Sequence, residues 1–114
     1  MVVFGTERHF LLTVGAASEI ASLCPDGDIS RIGEIMGASY DKSMVSIAKV
    51  IVALNKGYEQ RQRFEGGETH DPLTVDMLMA LDIADLTRLQ NEALKAFSRD
   101  SKQSIKTQSK KKTE

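Results

Sequence analysis

Met44-Val45-Ser46-Ile47-Ala48-Lys49-Val50-Ile51-Val52-Ala53-Leu54 is the stretch whose reading decides the fold of this chain. Met44, Ile47, Ile51, Leu54 and then Tyr58 recur at spacings of three and four, the apolar face of a helix. Val45, Ala48 and Val52 add a second stripe beside the first, and only Ser46 and Lys49 interrupt the run before Asn55. The β-branched residues alone would suit a buried strand. The length of the run and the polar residues after Asn55 favour a helix over residues 41–63. A helix this apolar must be wrapped by other elements, and it has too few apolar residues to cross a bilayer. It is expected to be the central helix of a small bundle. Its polar end, residues 59–63, is expected to project past the core.

Around that helix the chain has room for one domain. Its 114 residues can build a core without metal or disulfide support. Hydrophobic residues at 41% and charged residues at 27% are globular proportions, which sets aside wholly disordered classes. Few aromatics, no Trp and two prolines lean towards helices. Cys24 stands alone, so no internal disulfide forms, and a reducing compartment is expected. No apolar run reaches about 18 residues, and the first residues lack the basic, apolar, small-residue order of a signal peptide. A soluble, cytoplasmic protein, away from membrane, is the expectation. Residues 1–98 hold 9 Lys/Arg against 14 Asp/Glu, a net −5, whereas residues 99–114 hold 6 against 2, a net +4. An acidic body with a short basic tail argues against nucleic acid as the partner.

Before the central helix, Val2-Val3-Phe4 and Arg8-His9-Phe10-Leu11-Leu12 flank Gly5-Thr6-Glu7, a hairpin pattern. Thr13 is placed to cap a helix whose face is Val14, Ala17, Ile20, Ala21 and Cys24, ending before the Pro25-Asp26-Gly27 turn. Asp28 caps a short helix with Ile29, Ile32 and Met36 on one side and Gly37 as its stop. After the central helix, residues 64–71 lack periodicity and contain Gly66-Gly67, which reads as a flexible loop. Thr74 then caps a helix through Leu81, with Asp71-Pro72 before it. Asp82 caps a last helix carrying Leu86, Leu89, Ala93, Leu94 and Phe97. The fold class is mostly α: a helical domain over residues 1–98 with a short N-terminal hairpin, and a basic, disordered tail over residues 99–114.

Chemistry finds few footholds. His9, Cys24 and His70 lack metal-ligand spacing, and a free cysteine on a helix face usually acts as a small hydrophobe. Asp26-Gly27-Asp28 lacks the ligand series of a calcium loop, and Asp82 with Asp85 fits capping better than acid–base work. Gly66-Gly67 has no phosphate-loop lysine. Neither catalysis, a cofactor nor a metal is expected. The alternative reading is a small nucleic-acid regulator with a helix-turn-helix at residues 32–46. Its second helix would bury Ser43 and Ser46 while Met44 and Ile47 fall out of phase, and it offers little positive charge to phosphate. The Lys110-Lys111-Lys112 run reads as a solubilising end.

The order of elements, together with Leu12-Thr13-Val14-Gly15-Ala16, Leu54-Asn55-Lys56-Gly57-Tyr58 and the segment from Leu81 to Leu86, resembles the short-form tail assembly chaperones of long-tailed bacteriophages and prophages. The resemblance covers roughly residues 3–98 and brings no catalytic motif. It implies a protein that coats the tape measure protein, keeps it soluble, and helps deliver tail tube protein during virion morphogenesis. It also implies self-association, since a long client needs several copies. A holding chaperone needs apolar, adaptable surface, and Met36, Met44, Met77 and Met79 are the residues nominated to meet the client.

Overall fold

The computed structural model describes the backbone of residues 1–36 and 40–113, and the side chains of residues 1–36 and 44–101. It is a mostly helical small domain with a two-stranded antiparallel hairpin at its N-terminus. β1 (Val2–Val3) pairs with β2 (Thr6–Glu7) in the register Val2 to Glu7 and Val3 to Thr6. The turn is Phe4-Gly5, with φ of 47° and 81°. Positive φ at both central residues is the geometry whose twist matches that of paired strands. The second strand therefore begins at Thr6, earlier than the run from Arg8 to Leu12 suggested. A two-residue turn at Phe4-Gly5 uses up the glycine first. Residues 8–13 instead cross the bundle without regular secondary structure, and Leu11 N–H donates to the Leu54 carbonyl at 3.1 Å.

That crossing depends on a glycine. A Cβ at Gly57 would lie 2.7 Å from the Leu11 carbonyl oxygen and 3.3 Å from the Ala16 Cβ. Only the bare backbone lets the extended segment and α1 (Val14–Leu23) settle on the central helix there. α1 is capped as expected, with Thr13 Oγ1 accepting from Ala16 N–H at 3.1 Å. Its inward face is Ala16 and Ile20, with Cys24 just beyond its end. Val14, expected on that face, is 87% exposed. The close approach of Ala16 to Gly57 rotates the helix away from the predicted stripe.

After α1, the Pro25–Gly27 turn and the Ile29–Arg31 turn are single 3-10 turns, the second capped by Asp28 accepting from Ser30 N–H. α2 (Gly33–Met36) follows with Ile35 and Met36 buried, and Met36 is core rather than surface. The Met36 carbonyl accepts from the Gln90 side chain, which ties this corner to the last helix. The stop at Gly37 lies outside the described residues.

α3 (Tyr40–Glu65) is the central helix, about 39 Å long at 1.5 Å per residue. Ile47, Ala48, Val50, Ile51, Ala53 and Leu54 are buried on it. The second stripe thus runs through Val50 and Ala53, while Val45 is exposed and Val52 half-buried. α3 ends at Gly66, whose φ of 76° lets Gly66 N–H reach the Arg63 carbonyl and Gly67 N–H the Gln62 carbonyl. This left-handed stop satisfies two of the last helical carbonyls.

α4 (Val75–Met79) is capped by Thr74 accepting from Met77 N–H at 3.2 Å, and it stops at Ala80, short of Leu81. α5 (Ile83–Thr113) is capped by Asp82 accepting from Asp85 N–H at 2.8 Å and buries Leu86, Leu89, Ala93 and Ala96 against α3. Two residues assigned to the tail, Arg99 and Asp100, touch the body: Asp100 accepts from Leu12 N–H at 2.9 Å and Arg99 donates to the Phe10 carbonyl at 3.2 Å. Side chains from residue 102 onward lie outside the described residues. Among the described residues no helix is long and apolar enough to cross a membrane.

Candidate functional site

Two features stand out against the apolar core. The first is a polar clamp built on α3. Asn55 is 0% and Glu59 1% exposed, although both belong to the run read as polar and, for Glu59, projecting. Four residues apart, they share a helix face. The Asn55 amide donates to the His9 carbonyl at 3.0 Å, and its oxygen accepts from Leu73 N–H at 2.8 Å. Glu59 Oε1 accepts from His70 N–H at 2.9 Å. Arg8, 6% exposed, donates through Nη1 to the Asp71 carbonyl at 2.6 Å and stands 3.8 Å from Glu59 Oε2. Residues 70–73, read as part of a flexible loop, are therefore pinned to α3.

The clamp explains itself physically. Residues 9–13 and 70–73 lie against a helix without regular secondary structure of their own, so their N–H and C=O groups join no ladder. Buried backbone groups must find partners, and α3 supplies them as side chains. Four of the clamp's side-chain atoms bond to backbone groups, while Arg8 Nε and Glu59 Oε2 have no hydrogen-bond partner. Nothing nucleophilic enters this cluster. Its chemistry is that of a fastener joining the N-terminal segment, α3 and the approach to α4.

The other titratable residues serve local structure. Burial pushes the Cys24 thiol upward, and the charges of Asp28 and Glu34 push it further against the opposing pull of Arg31. A thiol held protonated in the core is a poor nucleophile. Arg31 bridges Asp26 at 3.0 Å and Glu34 at 2.5 Å, while Asp28 is engaged by Ser30. Arg88 pairs with Asp85 at 3.2 Å. The His9 and Tyr58 rings pack with centroids 4.9 Å apart, and His70 faces Glu68 at 3.5 Å. Among the described residues no group of three or more His, Cys, Asp or Glu could hold a metal ion.

The second feature is apolar surface. Of the four nominated methionines, Met36 is buried, Met44 and Met77 are half-buried, and Met79 is 42% exposed. Met36 packs beside Ile32 and Ile35 and cannot reach a client without opening the core. Met79 is followed by Ala80 and, four residues on, by Ile83 and Ala84, all exposed where α4 meets α5. Ile83 was not singled out in the sequence, because only its neighbour Asp82 carried a signal there. A separate groove of about 460 Å³ runs between α1 and the end of α3, bordered by Leu11, Leu12, Val14, Gly15, Gly57 and Phe64. A larger cleft of about 680 Å³ lies between residues 8–11, α3 and α5, with Tyr58, Arg61, Lys95 and Arg99 on its walls. The turn of the alternative helix-turn-helix, Gly37-Ala38-Ser39, lies outside the described residues. The helix before it is a single turn.

Compared with family models, curated proteins and solved structures, the chain matches none.

Proposed function

We propose that this protein is a phage tail assembly chaperone that binds the tape measure protein and keeps it soluble, without catalysis. One observation carries the reading: the exposed apolar corner of Met79, Ala80, Ile83 and Ala84 between α4 and α5. Met79 and Ile83 are large, and the two alanines beside them leave room for another helix to approach. A client helix can lay its apolar face on such a corner, and methionine adapts to differing client side chains. The corner sits on α4 and the capped start of α5, beside Leu78 and Leu86, which are buried in the core. Copies arrayed along the client would coat it, and the same contact would serve delivery of tail tube protein.

The test is co-expression with a tape measure protein that is insoluble alone. This protein should bring the client into the soluble fraction. The double substitution Met79→Asp and Ile83→Asp should abolish that effect while leaving the circular dichroism spectrum unchanged, since both side chains are at the surface. Alanine at His9, Cys24 and His70 together should leave it intact. The reading fails if the client's solubility ignores the protein, or if the double variant works as well as the parent. Strong, salt-dependent binding to random duplex DNA would point instead to a nucleic-acid regulator.

A further inference from the structure

The apolar corner between α4 and α5 is edged by charge of one sign. Residues 72–87 contain three aspartates, Asp76, Asp82 and Asp85, and no lysine, arginine, histidine or glutamate. Asp76 lies three residues before Met79 and four before Ala80, on the same face of that turn. Asp82 stands next to Ile83, where its Oδ1 caps α5. Both aspartates are exposed, and neither makes an ion pair among the described residues. Asp85 differs, because Arg88 answers it at 3.2 Å and leaves that end of the corner neutral. The exposed Met79 and Ile83 are thus bordered by two negative charges that nothing on the chain offsets.

Charge at the edge of an apolar contact selects the partner more than it holds it. An acidic helix laid on this corner would set like charges against Asp76 and Asp82, and a neutral one would leave both unanswered. A helix with Lys or Arg beside its apolar stripe does better. Its aliphatic stems extend the apolar contact while its charged ends reach the two carboxylates. The body works in the same direction, since the net −5 of residues 1–98 draws a basic segment in from a distance. We infer that the corner takes a basic amphipathic helix, one whose apolar stripe is flanked by Lys or Arg. The inference rests on the reading of the corner as the client site and adds the chemical class of the client segment.

Three synthetic helical peptides that share one Leu/Ala stripe, flanked by Lys, by Gln or by Glu, give the test. Their binding to the full chain is followed by fluorescence anisotropy at low and at high salt. The Lys peptide should bind about three- to tenfold more tightly than the Gln peptide, which is what two exposed ion pairs supply, and the Glu peptide more weakly than either. High salt should bring the three affinities together without abolishing binding of the Gln peptide. Asp76→Asn with Asp82→Asn should erase the preference and leave the melting temperature in place, because asparagine caps a helix about as well as aspartate. Asp26→Asn with Glu68→Gln removes as much charge from side chains 89% and 87% exposed elsewhere, and should keep the preference. Equal affinity for the three peptides, abolished for all of them by Met79→Asp with Ile83→Asp, overturns this inference and leaves the corner as the client site. Binding of none of them overturns both. A preference that survives at Asp76→Asn with Asp82→Asn, or that the Asp26 and Glu68 control loses equally, belongs to the acidic body as a whole and overturns the inference. If the Lys peptide binds only after truncation behind Ser101, the chain's own basic end covers the corner and the inference is wrong.

Discussion

Asn55→Ala is the perturbation that tests the polar clamp most sharply. The side chain is fully buried and serves two backbone groups, the Leu73 N–H and the His9 carbonyl. Alanine abandons both. Leaving a buried donor or acceptor without its partner costs about 1–3 kcal/mol. The Leu73 N–H is buried with its partner, and the His9 carbonyl is partly buried, so the first bears most of that cost. The sum is about 2–4 kcal/mol, a large share of the roughly 5–15 kcal/mol that holds a domain together. At this chain length each kcal/mol moves the melting temperature by roughly 4 °C, giving a fall of about 8–16 °C. Urea denaturation measures the free energy, and hydrogen exchange at Leu73 locates it: that amide should lose protection beyond the global change. Asn91→Ala, on the exposed side of α5, is the control and should stay within about 0.5 kcal/mol. If Asn55→Ala also stays within that margin, the two hydrogen bonds do not hold the molecule together and the clamp is misread.

Ile51→Asp should unfold the domain, because it leaves an unpaired charge at a fully buried site of α3; a parental melting curve would disprove the central-helix assignment. Gly57→Ala should destabilise by about 1–3 kcal/mol despite alanine's better helix propensity, since its Cβ collides with the Leu11 carbonyl; a stabilised variant would show that the crossing can shift. Truncation after Ser101 should leave the melting temperature within about a few degrees, whereas truncation after Ser98 should cost about 1–2 kcal/mol by removing the Arg99 and Asp100 contacts. Equal melting of the two truncations would mean that those contacts contribute nothing. Burial pushes the Asp100 carboxyl up, but the Arg99 guanidinium and the Leu12 N–H outweigh it and hold it below the usual carboxylate range. A carboxyl depressed in the folded state stabilises above its unfolded pKa of about 3.9. That contribution is lost as pH falls through the folded value. Asp100→Asn should therefore flatten part of the stability loss below about pH 4 seen by denaturation at stepped pH; an unchanged profile would dispose of the assignment.

The architecture was legible where it rests on short-range chemistry. The spacing of Ile47, Ile51 and Leu54 located α3, and Thr13, Asp28, Thr74 and Asp82 all accept the hydrogen bonds that their positions before helices suggested. What failed needed knowledge of neighbours. Val14 looked inward by spacing, yet Ala16 faces α3 because Gly57 lets the two backbones approach. Met36 looked available and is core, since α2 is one turn deep in the bundle. Most of all, a pattern that sorts polar from apolar puts Asn55 and Glu59 outside. They are inside because two irregular segments packed on α3 need partners for their backbone groups. The clue was present in part: Asn55 follows Ile51 by four residues, on the same face of the helix. The exposed Phe64 and Ile83 gave no signal at all, because an apolar residue at an element's end looks the same whether or not it is covered.

The central claim, a holding chaperone acting without turnover, is tested most directly by light scattering. A purified tape measure protein is diluted from denaturant into buffer with rising amounts of this protein. The account predicts that scattering falls in proportion to the protein added and reaches a plateau at a fixed number of copies per client. It predicts no need for nucleotide and no effect from the Met79→Asp and Ile83→Asp variant. Scattering that is indifferent to the parent protein, or suppressed equally by that variant, would contradict it.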